Sequence, residues 1–423
     1  MNQKKIISLL SLVGLFLLIT GLSYFIFGRV FPVKSKKPAV TQTDGQLTPA
    51  PKKTGVVSFT GPKTEICPLN GALFTKEEKD IWSTRRPLTV MVENHADARP
   101  QSGLNNADIV YEAVAEGGIT RFLGVFYCAA VKGAESKYDL GPVRSARTYF
   151  LDLASEYSDY PLYVHVGGAN CGAPKDPVTG RTAGPCVTDK KAQAIEQIQD
   201  YGWSNKGTWS DLSQFSLSYK VCRREPERTG TVKDTEHTMY CSSKELWNIA
   251  ADRGLTNLTE INKSSWDKKF APWSFKAKDQ ASSSPSPKSF SFDFWSGYKD
   301  YSVTWTYDAT NNRYLRTNGN QAQVDFNDDQ QLSAKNVVIQ YAKETRSIDS
   351  NLHNLYDVVG KGTGLVFRNG EKIEITWSKA SRTARTVYKI KDTDNEITFV
   401  PGSVWIEILP LNSAVTYENT SQP

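Results

Sequence analysis

The chain has 423 residues, of which 39% are hydrophobic and 23% are charged, so its composition is globular and excludes a largely disordered protein. The formal net charge of +6 comes with no basic stripe interleaved with aromatic residues, so we predict no nucleic-acid partner. At roughly 100–200 residues per domain, the length predicts two or three folded units.

An uncharged stretch of 22 residues, Ile6–Phe27, lies near the N-terminus. As a helix it would span about 33 Å, close to the roughly 30 Å of a bilayer core. Neither a small-residue cleavage site nor a nearby cysteine accompanies it, so we predict an uncleaved transmembrane helix within residues 1–31. Residues 32–64, rich in Pro, Lys and Thr, are expected to form a flexible spacer.

The orientation of this anchor follows from two opposed signals. Two lysines precede the uncharged stretch and four basic residues follow it closely, which by the positive-inside rule would place the large C-terminal part in the cytoplasm. The short N-terminal tail and the cysteine content favour the opposite orientation. We therefore predict a single-pass cell-membrane protein whose large C-terminal part is extracytoplasmic.

Six cysteines and four histidines occur in the whole chain, and no CxxC pair is among them. A zinc site with short ligand spacing is therefore not indicated, and we expect no metal and no cofactor. An even cysteine count in a membrane-crossing chain favours disulfides, which we pair as Cys67–Cys128, Cys171–Cys186 and Cys222–Cys241. Six cysteines allow 15 connectivities, and buried reduced thiols are the alternative.

Residues 65–280 have the pattern of a mixed α/β domain. Strands are predicted at 87–94, 107–116, 119–127 and 161–168, and helices at 145–157, 188–200 and 243–253. Gly117 and Gly118, between two of the strands, are typical of a tight hairpin. Ser242 precedes Glu245 by three residues, which is the spacing of a helix capping box.

After a Ser- and Pro-rich linker at 281–288, the pattern becomes almost entirely β. Short alternating segments such as 336–342, 364–377 and 403–410 predict a β-rich domain over residues 289–412, followed by a tail at 413–423. Asn369-Gly370 is typical of a hairpin turn. The predicted fold class is therefore α+β, with an N-terminal mixed α/β domain, a C-terminal β-rich domain and an N-terminal transmembrane helix.

Charged residues concentrate around the Gly117-Gly118 hairpin. If residue 116 pairs with 119, residue 114 pairs with 121 and residue 112 with 123, so Glu112, Glu116 and Arg121 share one face of the sheet. Arg121 would then lie diagonal to both carboxylates and satisfy their charge. One carboxylate would be free to face a substrate.

A second charged group is GPVRSAR at 141–147. With a helix beginning near Ser145, Arg144 and Arg147 would stand beside its free backbone N–H groups and form an anion-binding corner. A phosphate, a carboxylate ligand or a carboxylate of the protein itself would fit there. His165 ends a predicted strand and is expected to face the same crevice, since ligands often bind at strand carboxyl ends.

Two interpretations of these residues stay open. In the functional one, Glu93, Glu112, Glu116 and His165 are candidate catalytic residues, and Arg121, Arg144 and Arg147 are candidate ligand-binding residues. In the structural one, the glutamates and arginines form a buried ion-pair network. His95, His237 and His353 are by default structural or surface residues.

Three stretches together resemble a known family: residues 86–127 with the strings ARPQSGL and EGGITRF, residues 141–157, and residues 336–379. They are similar to the YerB-like family of bacterial envelope lipoproteins, whose domain has no known function. The resemblance covers about residues 80–410 and implies an α/β part, a β part and an extracytoplasmic location. It implies no catalytic residue, and this chain has a transmembrane anchor where the family has a lipoprotein cysteine.

Two functions are compatible with the sequence. The first is an envelope protein that binds or scaffolds a cell-wall glycan, a wall peptide or a protein partner. The alternative is a cell-wall-active hydrolase in which paired carboxylates act as acid and base, because different environments can separate their pKa values.

Overall fold

The computed structural model of the protein describes residues 57–134, 138–174, 178–179 and 184–419. The predicted anchor Ile6–Phe27 and residues 32–56 of the predicted spacer lie outside these residues. No helix in the described part of the chain is both long and apolar enough to cross a membrane.

The described residues contain many strands and few helices, so the α+β class is confirmed. The helices are α1 Lys76–Trp82, α2 Val131–Ala134, α3 Thr148–Ala154, α4 Ala194–Asp200 and α5 Ser243–Asp252. The strands are β1 Lys63–Ile66, β2 Leu73–Thr75, β3 Leu88–Glu93, β4 Ile109–Glu116, β5 Ile119–Phe126, β6 Asp139–Leu140, β7 Leu162–His165, β8 Asp211–Ser213, β9 Cys222–Arg224, β10 Met239–Ser242, β11 Leu258–Thr259, β12 Ser264–Ser265, β13 Ser289–Phe292, β14 Val303–Asp308, β15 Arg313–Asn318, β16 Gln321–Ala322, β17 Ser333–Ala334, β18 Asn336–Ala342, β19 Glu344–Thr345, β20 Leu355–Tyr356, β21 Gly360–Arg368, β22 Glu371–Lys379, β23 Val387–Ile390, β24 Val404–Pro410 and β25 Val415–Glu418.

One ten-stranded sheet runs through both halves of the sequence, in the order β23-β22-β21-β18-β24-β4-β5-β3-β7-β8. The halves join where β24 pairs in parallel with β4, which places Glu407 beside Glu112. β3 is parallel to β7, and β18 is parallel to β24. The carboxyl ends of β3, β4, β7 and β24 therefore lie at one edge of the sheet.

A second sheet, in the order β16-β15-β14-β13-β25, covers one face of the first. Aromatic rings meet between the two sheets: the rings of Trp305 and Trp405 lie 5.3 Å apart, and those of Phe290 and Phe367 stack at 3.6 Å. Burying such large rings supplies much of the hydrophobic free energy of the fold. β25 lies in the segment predicted as a C-terminal tail and pairs with β13 along its length.

The opposite face of the ten-stranded sheet packs against α3 and the residues after it. Tyr149 of α3 donates to the Val114 carbonyl (2.6 Å), and the hydroxyl groups of Tyr111 and Tyr157 bond each other at 2.7 Å. α3 begins at Thr148, with Arg147 in the N-cap position but without a side-chain capping hydrogen bond, and not at Ser145 as predicted. The reason is that Val143 bridges Val92 and Ala146 bridges Gly168, which keeps the chain extended up to Arg147.

The β4–β5 hairpin has the predicted loop but not the predicted register. Glu116 pairs with Ile119, whereas Val114 pairs with Thr120, so a β-bulge adds one residue to β4. Beyond the bulge, Ala113 faces Arg121 and Glu112 faces Phe122. Since side chains alternate along a strand, this single extra residue moves Glu112 to the face opposite Arg121. The prediction that Glu112, Glu116 and Arg121 share a face is therefore wrong.

The three predicted disulfides are confirmed: Cys67–Cys128, Cys171–Cys186 and Cys222–Cys241. The last of them joins directly paired residues of β9 and β10. The hairpin turn at Asn369-Gly370 is also confirmed, because β21 and β22 pair up to Arg368 and Glu371 on either side of it. The Ser242 hydroxyl accepts the backbone N–H of Glu245 and so caps α5.

Candidate functional site

The candidate site lies at the carboxyl-end edge of the ten-stranded sheet, on the helix-covered face. Glu93 ends β3 and pairs with Arg121 of β5, and Glu116 ends β4. Residues 142–147 cross the ends of β3 and β7 and include Arg144 and Arg147. We use the name edge cluster for Glu93, Glu116, Arg121, Arg144, Arg147 and His237.

Glu116 is held by two arginines. Arg121 donates to one of its carboxylate oxygens, and Arg147 donates to the other through Nη2 (2.5 Å) and Nε (3.1 Å). Burial alone would raise the pKa of Glu116, but attraction to Arg121 and Arg147 outweighs it and lowers the pKa to about 2. Glu116 is therefore an ionised structural partner at neutral pH, although 24% of its side chain is exposed.

Glu93 forms the second half of the edge cluster. Its Oε1 lies 3.1 Å from Nε of Arg144, and its Oε2 lies 3.0 Å from Nδ1 of His237. The His237 ring stacks on that of His95, with 4.7 Å between the ring centroids and 8° between the planes. Glu93 is buried, whereas 25% of the Arg144 side chain is exposed.

The predicted anion-binding corner is filled by the protein's own carboxylates. The predicted helix N-terminus does not contribute, because α3 has only seven residues and starts after both arginines. Of the alternatives left open by the sequence, a carboxylate of the protein itself is the one observed at Arg144 and Arg147. The edge cluster contains three arginines and two glutamates, so positive charge is in excess there.

Glu112 lies outside the edge cluster, on the face covered by the second sheet. Its carboxylate accepts hydrogen bonds from Arg316 Nη2 (2.5 Å), Thr120 (2.6 Å) and Asn94 (3.1 Å). Glu407 is adjacent, accepts from Trp305 Nε1 (2.9 Å), and lies 3.7 Å from Arg316 Nε. We call Glu112, Arg316 and Glu407 the buried triad, since no side chain of the three is exposed.

The buried triad contains one cation and two carboxyl groups. Burial raises the pKa of Glu407 well above its ordinary value, and the neighbouring Glu112 raises it further. The direction of this shift favours the protonated form of Glu407, and Arg316 supplies one positive charge to the two carboxyl groups. The ion-pair network that the sequence left as an alternative is observed in the edge cluster for Glu116, Arg121 and Arg147, whereas Glu112 pairs with Arg316 in the buried triad.

His165 is separated from these carboxylates. Its Nε2 bonds Asp211 Oδ1 of β8 at 2.7 Å, and its Nδ1 bonds the Gly167 carbonyl at 2.5 Å. Both ring nitrogens are therefore engaged within the protein, and the ring is buried. Of the predicted site residues, the structure brings together Glu93, Glu116, Arg121, Arg144 and Arg147, and leaves Glu112 and His165 apart.

Two family models match this chain. Residues 74–256 match the N-terminal domain, and residues 292–406 match the C-terminal domain, of the proteins of unknown function designated DUF3048. The chain belongs to the DUF3048 family.

The family resemblance inferred from the sequence is confirmed by two further comparisons. YerB of Bacillus subtilis (strain 168), named as a candidate lipoprotein, is 28% identical over 355 residues, which are 81% of this chain and 86% of YerB. The crystal structure of YerB from Bacillus subtilis matches with a TM-score of 0.60 and 25% identity, covering 84% of this chain and 100% of the solved chain.

The edge cluster and the His95–His237 stack both lie within the matched DUF3048 N-terminal domain. The sequence analysis assigned His237 no role in this cluster, because His237 lies in a 3₁₀ turn 144 residues after Glu93. It also missed Arg316 and Glu407. Both carried a usable signal: Arg316 occupies an inward position of an alternating strand, and Glu407 is the charged residue of the otherwise apolar strand β24.

Proposed function

We propose that this DUF3048 chain is a membrane-anchored, extracytoplasmic envelope protein that binds a cell-wall peptide and does not cleave it. The lipoprotein name of its relative YerB and the uncharged stretch Ile6–Phe27 support attachment to a membrane. Three disulfides favour an oxidising compartment and hence the extracytoplasmic side.

We favour binding over hydrolysis because the candidate carboxylates are already paired with other side chains or buried within the protein. A general acid or base works best when its pKa lies near the working pH and when it reaches the substrate. The Glu116 pKa of about 2 fails the first condition, and the fully buried Glu112 fails the second. Glu93 is enclosed between Arg144 and His237.

The exposed parts of the edge cluster define the ligand class. Arg144 and Glu116 keep about a quarter of their side chains exposed, so each still offers a charge to solvent. A ligand with both a carboxylate and an ammonium group would be attracted to this pair of opposite charges. Wall stem peptides carry both groups, whereas a neutral glycan carries neither, so the peptide is the ligand we propose.

The test uses the full-length chain in detergent, incubated with purified peptidoglycan sacculi. Co-sedimentation and released muropeptides are followed together, the latter by mass spectrometry. We expect co-sedimentation without release, and an approximately tenfold loss of binding in Arg144→Gln, equivalent to about 1.4 kcal/mol. The matched control is Arg224→Gln, since Arg224 also holds a backbone carbonyl of the 235–236 segment but contacts no carboxylate of the edge cluster.

The outcomes separate the alternatives. Equal loss in both variants would show a general charge effect and would contradict binding at the edge cluster. Muropeptides released by the wild-type protein would identify a hydrolase. Absence of sedimentation would contradict a wall ligand and direct the search to a protein partner. Thermal unfolding of each variant checks that the loss is not caused by misfolding.

A further inference from the structure

Two of the chain's four histidines meet at the rim of the edge cluster, although 142 positions separate them in the sequence. His95 lies in the loop after β3, and His237 ends a 3₁₀ turn just before β10. Asp97 stands next to His95, with its Oδ2 3.4 Å from Nδ1 of that ring. One donor atom from each of the three residues lies within 4.8 Å of the other two.

We propose that His95, Asp97 and His237 form a site for a divalent transition metal of the Zn²⁺ class. Two imidazoles and one carboxylate are ligands that such ions prefer, and three protein ligands leave a coordination position for water or an exogenous ligand. The proposal does not depend on wall binding. It assigns metal binding to these three residues, although the sequence predicted no metal site.

Glu93 supplies the support that a metal-binding histidine needs. A histidine ligand commonly donates its second ring N–H to a carboxylate, which sets the tautomer and makes the other nitrogen the ligand. Glu93 Oε2 lies 3.0 Å from His237 Nδ1, and Arg144 holds the other carboxylate oxygen. This arrangement leaves the lone pair of His237 on Nε2, the ring nitrogen that does not contact Glu93.

The other two ligands have the freedom to close around an ion. Asp97 is 64% exposed and His95 is 30% exposed, and the ring of His95 packs on that of His237. The His95 ring accepts a hydrogen bond from the Asp97 backbone N–H (3.2 Å), a local contact that a small ring rotation breaks. Stacked imidazoles do not converge on one ion as they stand, so this rotation is part of the proposal.

The other two histidines provide an internal comparison. His165 bonds Asp211, and His353 bonds Asp349 at 2.9 Å, so each has a carboxylate partner as His237 does. Within the described residues, neither pair gains a third metal-binding side chain at ligand distance. A carboxylate partner alone therefore does not distinguish the proposed site; the meeting of two histidines and an aspartate does.

The experiment uses the full-length chain, stripped of metal by a chelator and titrated with Zn²⁺ against a chromogenic chelator. We expect saturable binding of one Zn²⁺ per chain, and binding of Co²⁺ with visible absorption bands typical of nitrogen and oxygen ligands. His95→Gln and Asp97→Asn should each weaken binding by at least tenfold. Both positions are partly or largely exposed, so these variants are expected to fold.

The matched control is His353→Gln, which removes a histidine with a carboxylate partner outside the proposed site. Its Zn²⁺ affinity should equal that of the wild type. Absence of saturable binding by the wild type, or equal affinity in His95→Gln and the wild type, would overturn the proposal. Binding that only His353→Gln abolishes would place the metal elsewhere and would overturn it equally.

Discussion

At the scale of single residues, Glu116 is the carboxylate whose charge matters most to the edge cluster. Its folded-state pKa of about 2 lies below the ordinary value of 4.5, so it contributes stability above pH 4.5 that is lost as the pH falls towards 2. A shift of this size corresponds to about 3 kcal/mol. Glu116→Gln should therefore destabilise the protein at pH 7, and its difference from the wild type should shrink as the pH falls from 4.5 to 2.

Denaturant unfolding between pH 7 and pH 3 measures this difference. The control is Glu396→Gln, because Glu396 also meets an arginine, Arg385, with both carboxylate oxygens but is 42% exposed. Exposed pairs contribute below about 1 kcal/mol, so this variant should stay close to the wild type throughout. A Glu116→Gln deficit that is the same at every pH would contradict the assignment of charge to Glu116.

At the scale of elements, most strands were predictable and one register was not. β3, β5 and β18 follow from uninterrupted apolar or alternating patterns, and the turn at Asn369-Gly370 follows from its residues. No local sequence feature marks the bulge in β4, because the alternation of polar and apolar residues does not distinguish Ala115 from its neighbours. Because the extra residue of the bulge was not foreseen, Glu112 was assigned to the wrong face of the sheet.

The β21–β22 turn yields a test at the same scale. Gly370 has a φ of 77°, and a Cβ atom there would lie 2.9 Å from atoms of both Pro285 and Tyr307. Gly370→Ala therefore combines backbone strain with a steric overlap. We expect a cost above the roughly 1–2 kcal/mol that left-handed backbone alone imposes on a non-glycine residue.

Gly230→Ala isolates the backbone part of this cost. Gly230 has a φ of 85°, and nothing lies within 4 Å of its added Cβ atom. The denaturation midpoint of Gly230→Ala should lie between those of the wild type and Gly370→Ala. Equal midpoints for the two variants would show that the turn relaxes and that its packing against Pro285 and Tyr307 is not tight.

At the scale of the whole molecule, the edge cluster and the buried triad were each predictable only in part, for one reason. Glu93 and Arg121 pair across β3 and β5, which are 28 residues apart at this point, whereas His237 and Arg316 lie more than 140 residues from the glutamates that they contact. Side-chain periodicity shows which residues point inward but not which strand of another sheet they meet. The sequence therefore indicated polar inward residues without identifying their partners.

The buried triad links the two sheets, and its removal tests how much that link contributes. Arg316→Met leaves Glu112 and Glu407 buried without a cation, a change that costs about 3–5 kcal/mol in comparable cases. An unpaired buried carboxyl group has a folded-state pKa above its unfolded value, so it is best tolerated at low pH. The deficit of Arg316→Met should therefore be largest at neutral pH and should shrink as the pH falls towards 4.

Arg313→Met is the matched control, since Arg313 lies three residues away on the same strand, β15, on the opposite and less buried face. Its partner is Asp308 at 3.4 Å, and 38% of its side chain is exposed, so its loss should cost below about 1 kcal/mol. Chemical denaturation of both variants at pH 7 and pH 4 makes the comparison. If Arg316→Met were no less stable than Arg313→Met, the aromatic contacts around Trp305 and Trp405 would be sufficient to hold the sheets together. If its deficit were instead the same at both pH values, the loss would come from packing of the arginine side chain, because only unpaired carboxylates make the cost depend on protons.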